Sequence, residues 1–214
     1  MNQDFQRYFP LEEPTSLNNV SVILYAQTEL KTHSLLEHFK AVHLHLESVL
    51  LEWMNAHDLW SVHGFQFPPN QEPWSLDWLF CDNPTIQAVN LDVRGKNVAT
   101  DVLSFPTLEN ASLGDDHAEE DPAFPLQSEL PEALKKALIQ HGGHLGTVMV
   151  SVAYAELHRG EEALVDYVLE RFLHGTLHVL GVHHATQADY ERVLALQADF
   201  KERFTPSPFG RGLG

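Results

Sequence analysis

Short apolar runs alternate along this chain with longer segments of helical period. Residues 19–28, NNVSVILYAQ, are β-branched and apolar after turn residues, and they predict a strand. Residues 33–56 place Leu35, Leu36, Phe39, Val42, Leu46, Val49, Leu50 and Trp53 at helical spacing. His38, His43 and His45 lie on that helix without a converging third partner, and read as surface or interface histidines. The Pro-rich stretch 64–74 predicts a loop, and 75–82, SLDWLFCD, a second strand. Asn83-Pro84 opens a short helix near 84–91, in a segment that ends at Arg94. Strands follow at 99–106 and 144–152. Between them, 131–143 has Pro at its start and glycine at its end, the signature of a short helix. Residues 161–181 are apolar on most faces, as in a helix buried in a core, and Gly181 is placed to end it. Residues 186–204 form an amphipathic closing helix with Thr186 as its cap.

Helices and strands are mixed without strict alternation. The expected class is α+β, with a small mixed four-stranded sheet packed with helices. One domain spans 19–204, with tails at 1–18 and 205–214. It carries an insertion at 107–144, whose residues 109–130 hold seven carboxylates and no Lys or Arg.

Composition narrows the function. The chain has 214 residues, 43% of them hydrophobic, enough for one substantial core. No apolar run approaches the roughly 20 residues of a membrane span, and the first residues have no signal-peptide pattern. The single cysteine, Cys81, reads as a core residue, and a reducing cytoplasm is the expected compartment. The net charge of −17 argues against broad, non-specific binding of nucleic acid, since phosphate contacts need cations. A local basic cleft is still compatible with it, and Arg94, Lys96, Arg159 and Arg171 are the candidates to line one.

The chemistry gathers at 171–184, RFLHGTLHVLGVHH, which holds four of the 14 histidines. His174 and His178 are one helical turn apart and share a face. Gly181 lets the chain turn back, so that His183 or His184 can supply a third imidazole. Three neutral imidazoles with one open position make a catalytic zinc arrangement. Cobalt, nickel and copper also bind such donors, but zinc suits hydrolysis. The pattern is close to the zinc-protease motif H-E-x-x-H-x-x-G-x-x-H, in which the Glu is the general base. Here that position is Gly175, and no carboxylate lies between His174 and His184, so protease chemistry lacks its base.

Three ordered blocks carry a resemblance to the YbeY family of bacterial endoribonucleases. HGTLHVLGVHH (174–184) is similar to the family signature, with His183 where Asp is common. NLDVRGKNVATDVLSFP (90–106) resembles the N-x-x-Y-R-G … T-D-V-L-S-F-P block, with Val93 in place of the aromatic residue. LGTVMVSV (145–152) resembles the L-G-D-I-V-I-S strand, with Thr147 where Asp is usual. The resemblance selects His184 over His183 as third ligand and aligns Arg94 with the family's functional arginine. It places Thr100, Asp101 and Ser104 in the second block. Asp101, Ser104 and His183 are then candidates to hold a ligating imidazole or to touch substrate, with a turn-capping role favoured for Asp101.

The resemblance implies one Zn2+ per chain and a zinc helix packed on a small sheet. It also implies a single-strand endoribonuclease of 16S ribosomal RNA 3′-end maturation and ribosome quality control. Ribosomal RNA and the ribosome or small-subunit proteins are the implied partners, with no membrane. The residues do not choose between activated water and an RNA 2′-hydroxyl as nucleophile. A ribosome assembly factor with a structural metal site is the alternative; such a site is usually closed by four protein ligands. A metal-dependent hydrolase of a small phosphoester or amide is a third reading.

Overall fold

The computed structural model describes residues 8–11, 20–30, 32–59, 74–107 and 143–204. Its elements are β1 (Tyr8–Pro10), β2 (Val20–Gln27), α1 (Ser34–Ala56), β3 (Trp74–Cys81), α2 (Asn83–Arg94), β4 (Val102–Pro106), β5 (His144–Ser151), α3 (Val152–His158), α4 (Leu164–Val179) and α5 (Gln187–Phe204). The sheet order is β1-β2-β3-β5-β4, with β2, β3 and β5 parallel and the two edge strands antiparallel. The expected α+β class is therefore met. No helix among the described residues is long and apolar enough to cross a membrane.

The four predicted strands form the body of the sheet, and β1 adds a fifth at its edge. This corrects the reading of 1–18 as a tail. Tyr-Phe-Pro is too short to show a period of two, and Pro10 suits an edge strand because it has no N–H to donate. A second correction is α3, a seven-residue helix directly after β5. Ser151 both ends the strand and caps the helix, its hydroxyl accepting from Tyr154 N–H at 3.2 Å. The expected loop 64–74, helix 131–143 and tail 205–214 lie outside the described residues, apart from Trp74 and Gly143.

The two faces of the sheet carry unequal cores. One face sets Leu76, Trp78 and Phe80 of β3 and Val148 and Val150 of β5 against α1, α4 and α5. Phe172 of α4 stacks on Trp78 at 4.6 Å and meets Phe80 edge-on at 4.9 Å. Truncating such an aromatic anchor costs about 3–5 kcal/mol. The other face has a smaller cluster, Leu79, Cys81, Ile86, Leu103 and Met149, beneath α2. Cys81 is buried there, its thiol donating to Val150 O.

His43, expected at the surface, is instead 3% exposed. Its Nε2–H donates to Val22 O, and Glu47 Oε1 accepts from Val22 N–H at 2.8 Å. β1 pairs only with Tyr25–Gln27, so these side chains serve the backbone of β2 where β1 does not reach. One polar residue on an apolar helix face gave no sequence signal of that task.

Candidate metal centre

The site grows from the way α4 packs. Gly175 lies against β5, and a Cβ there would come within 2.3 Å of Val148 Cγ1. Glycine lets the helix backbone approach the sheet closely, and a general-base carboxylate in that position would be driven into Val148. Thr176 is fully buried; its hydroxyl donates to Phe172 O at 2.7 Å and accepts from Trp78 Nε1–H at 3.1 Å. These contacts fix the rotation of α4 about its axis, and so the direction in which His174 and His178 project.

The turn after α4 returns the third histidine. Gly181 has φ 78°, the left-handed conformation that glycine adopts without strain. Its N–H bonds to His178 O at 3.0 Å, and Val182 N–H to Leu177 O at 2.8 Å. This pair of bonds is the Schellman termination. It reverses the chain so that His184 comes back over the end of the helix.

The three rings then converge. His174 Nε2 is 3.0 Å from His178 Nε2 and 3.4 Å from His184 Nε2. Among the described residues, His174, His178 and His184 form the group able to hold a metal ion, with one ligand atom each and all three atoms within 4.8 Å of one another. Two nitrogens bound tetrahedrally at about 2.05 Å from zinc are about 3.3 Å apart. The observed separations bracket that figure, so the donor set fits. His183 takes a different place: its Nδ1 is 3.2 Å from His178 Nδ1, on the far side of that ring from the convergence point.

Electrostatics keep two of the donors, His174 and His178, neutral. Burial, then His174, His183 and His184, and finally the charge of Arg94 push His178 down to about 2. Burial, then His184 and Arg171, lower His174. Both imidazoles therefore offer lone pairs at neutral pH, the form a cation requires.

Arg94 ends α2. Asp82 caps the other end of that helix, its carboxylate accepting from Thr85 N–H at 2.9 Å, and Gly95 closes it at φ 67°. A cation in the last turn is favoured by the helix dipole. Asp101 caps the start of β4, accepting from Val102 N–H at 2.9 Å and from the Thr100 hydroxyl at 3.2 Å. Its other oxygen lies 2.8 Å from Arg171 Nε, a close ionic contact without an aligned hydrogen bond. Ser104 lies mid-strand in β4, opposite Val148.

Two of the four cations considered for a basic cleft are thus engaged elsewhere. Arg171 pairs with Asp101 and Glu170 and covers the Tyr167 ring at 4.5 Å. Arg159 donates to Glu162 O. Lys96 is exposed one residue past Gly95.

Two residues of the site had not been singled out from sequence. Tyr190, 44% exposed, meets His184 edge-on at 5.8 Å. Gln197 is buried and donates to Glu170 O at 3.1 Å, one helical turn before His174. It lies in the apolar stripe Val193, Leu196, Phe200 of α5, and a polar residue in such a stripe was the available signal.

Comparison with known proteins identifies the family. The family model described as Endoribonuclease YbeY matches residues 54–205. The chain is 32% identical over 121 residues to Endoribonuclease YbeY of Dinoroseobacter shibae, a match covering 56% of this chain and 60% of that one. It is 31% identical over 140 residues to that of Jannaschia sp., covering 64% and 78%. With the Homo sapiens protein it shares 29% identity over 145 residues, covering 67% and 72%. The family model takes in α2 to α5 whole, and with them every residue of the histidine and arginine blocks. The chain belongs to the YbeY family.

Proposed function

We propose that this protein is a zinc-dependent single-strand endoribonuclease, acting in the cytoplasm on 16S ribosomal RNA 3′-end maturation and in ribosome quality control. The observation that carries the reading is the convergence of His174, His178 and His184 through their Nε2 atoms. Its members are the ligands for one ion per chain. When bound, zinc supplies Lewis acidity toward a phosphoryl oxygen and acidifies water. The relatives' printed description as endoribonucleases supports phosphodiester cleavage as the reaction.

The chain's own residues divide the remaining work. Arg94 is the group proposed to stabilise negative charge that develops on the phosphate, a role supported by its charge being felt at His178. Tyr190 offers an exposed ring beside His184, on which an unpaired base can stack; single-stranded RNA is commonly held this way. His183 keeps the ring of His178 oriented through its Nδ1 contact. Asp101, just before β4, pairs with Arg171 of α4, and Ser104 is left as a candidate substrate contact on β4. No protein donor among the described residues adds a fourth ligand to the triad, which favours the catalytic reading over a structural metal site in an assembly factor.

A net charge of −17 predicts weak binding to free RNA, with the ribosome or small-subunit proteins supplying the rest of the affinity. The test combines metal analysis with RNA cleavage by the parent, His178→Ala and Arg94→Ala proteins. His178→Ala should lose both metal and cleavage, and Arg94→Ala cleavage alone. Variants that cleave like the parent would place the activity elsewhere.

A further inference from the structure

β4 is the last strand of the sheet, so among the described residues one side of its backbone meets β5 and the other meets no strand. At the two ends of the ladder, Ser151 N–H donates to Asp101 O at 3.0 Å and Thr107 N–H to Leu145 O at 2.9 Å. Bonded residues alternate in an antiparallel pair. Leu103 and Phe105 therefore bond to β5, while Val102, Ser104 and Pro106 turn their main-chain groups to the open edge. Val102 N–H is taken by Asp101 Oδ1 at 2.9 Å, and Pro106 has no N–H. Among the described residues, Ser104 thus holds the one outward amide of β4 that has no acceptor. That amide lies along the helix of the metal centre. A Cβ on Gly175 would come 3.2 Å from Val102 Cγ2, and one on Gly146, opposite Pro106, 2.9 Å from Val179 Cγ1. α4 runs beside β4 from Gly175 at Val102 to Val179 near Pro106, and Ser104 stands between, level with the turn that carries His178. Strand alternation puts the Ser104 side chain on this same side, since Leu103 and Phe105 face the smaller core.

We infer that Ser104 is the seat of a substrate phosphate: its N–H and hydroxyl donate to phosphate oxygens of a single RNA strand lying along the open edge of β4. A full row of edge N–H and C=O groups would suit a peptide strand. Here the donors on either side are removed, one by the Asp101 carboxylate and one by Pro106. One amide and one hydroxyl are left, which match the oxygens of one phosphate rather than the repeat of a peptide backbone. Asp101 does not set a bare negative charge against that phosphate, because Arg171 Nε lies 2.8 Å from its other oxygen.

This inference rests on the proposed ribonuclease activity, and its test separates the two. Zinc-loaded parent, Ser104→Ala and Ser104→Pro proteins are compared in RNA cleavage, with metal content and thermal unfolding measured on each. Proline removes the amide donor at an edge position that does not bond to β5, where a strand tolerates it. It should raise KM by about 10–100-fold, the effect of losing one hydrogen bond to a charged group, with kcat and metal content near those of the parent. Alanine keeps the amide and should raise KM only a few-fold. Amide resonances of the zinc-loaded parent give a readout independent of any variant's folding. The Ser104 N–H should shift downfield on titration with a single-stranded oligonucleotide, and that shift decides alone if the proline variant unfolds. A Ser104 amide that stays unmoved by the oligonucleotide, or that answers an extended peptide instead, overturns the inference and leaves the ribonuclease intact. So does a folded proline variant with the parent's KM. A zinc-loaded parent that cleaves no RNA overturns both.

Discussion

α4 and α2 each end on a left-handed glycine, Gly181 at φ 78° and Gly95 at φ 67°, and each brings a candidate functional side chain to its final turn. Their surroundings differ. The end of α4 is buried in the larger core, with Gly175 pressed on Val148 and Thr176 bonded to Trp78. The turn after it returns His184 through two backbone bonds. The end of α2 lies over the smaller core, and Gly95 to Val98 after it are exposed. That loop is tied back by Asn90, which donates to Val98 O at 2.8 Å, and by Gln87, which donates to Asn97. A triad that must hold three nitrogens a few ångströms apart is built on the rigid element. A guanidinium that acts through charge tolerates the looser one.

The sharpest way to break this comparison is at the triad. His178→Ala removes the central ligand and should abolish stoichiometric metal and reduce RNA cleavage to background, read by metal analysis and a gel assay. Arg94→Ala should separate the halves: cleavage falls by about 10²–10³-fold, the range for losing one stabilising donor, while metal content stays at parent level. Loss of metal from that variant would show that the two ends are not independent.

Gly175→Ala tests the rigid end alone. Alanine gains up to about 1 kcal/mol of helix propensity over glycine. Overpacking costs about 1–3 kcal/mol, and the 2.3 Å approach to Val148 makes that cost the larger. Urea unfolding should show net destabilisation, and an alanine variant more stable than the parent would contradict the packing. The smallest effect is expected from Lys96→Ala at the exposed end. It should weaken RNA binding a few-fold and lower the salt slope by about one, with metal and stability unchanged.

The legibility of the chain follows the same division. The four body strands and the long helices were visible because their apolar periods run for eight or more residues or are closed by Pro or Gly, as at Pro106 and Gly181. β1 and α3 were not, since three and seven residues carry too little period to register. His174, His178 and the return of a third imidazole were legible because the spacing is local, one turn of helix and then one glycine turn; the choice of His184 over His183 came from the family resemblance. His43 and Gln197 were not, because their partners, Val22 and Glu170, are distant in sequence and a single polar residue on an apolar face does not disclose what it will meet. Arg171, read as a candidate for an RNA groove, is half-buried against Tyr167 of its own helix and against Asp101, and the Asp101 pair is one that only the packing of the β4 edge on α4 creates.

The most direct test of the central claim is X-ray absorption at the zinc edge, on protein whose metal content has been counted. One ion per chain, with three imidazole nitrogens and a remaining light ligand from solvent, is the predicted result. A chain without stoichiometric metal, or an ion closed by a fourth protein donor, would contradict it.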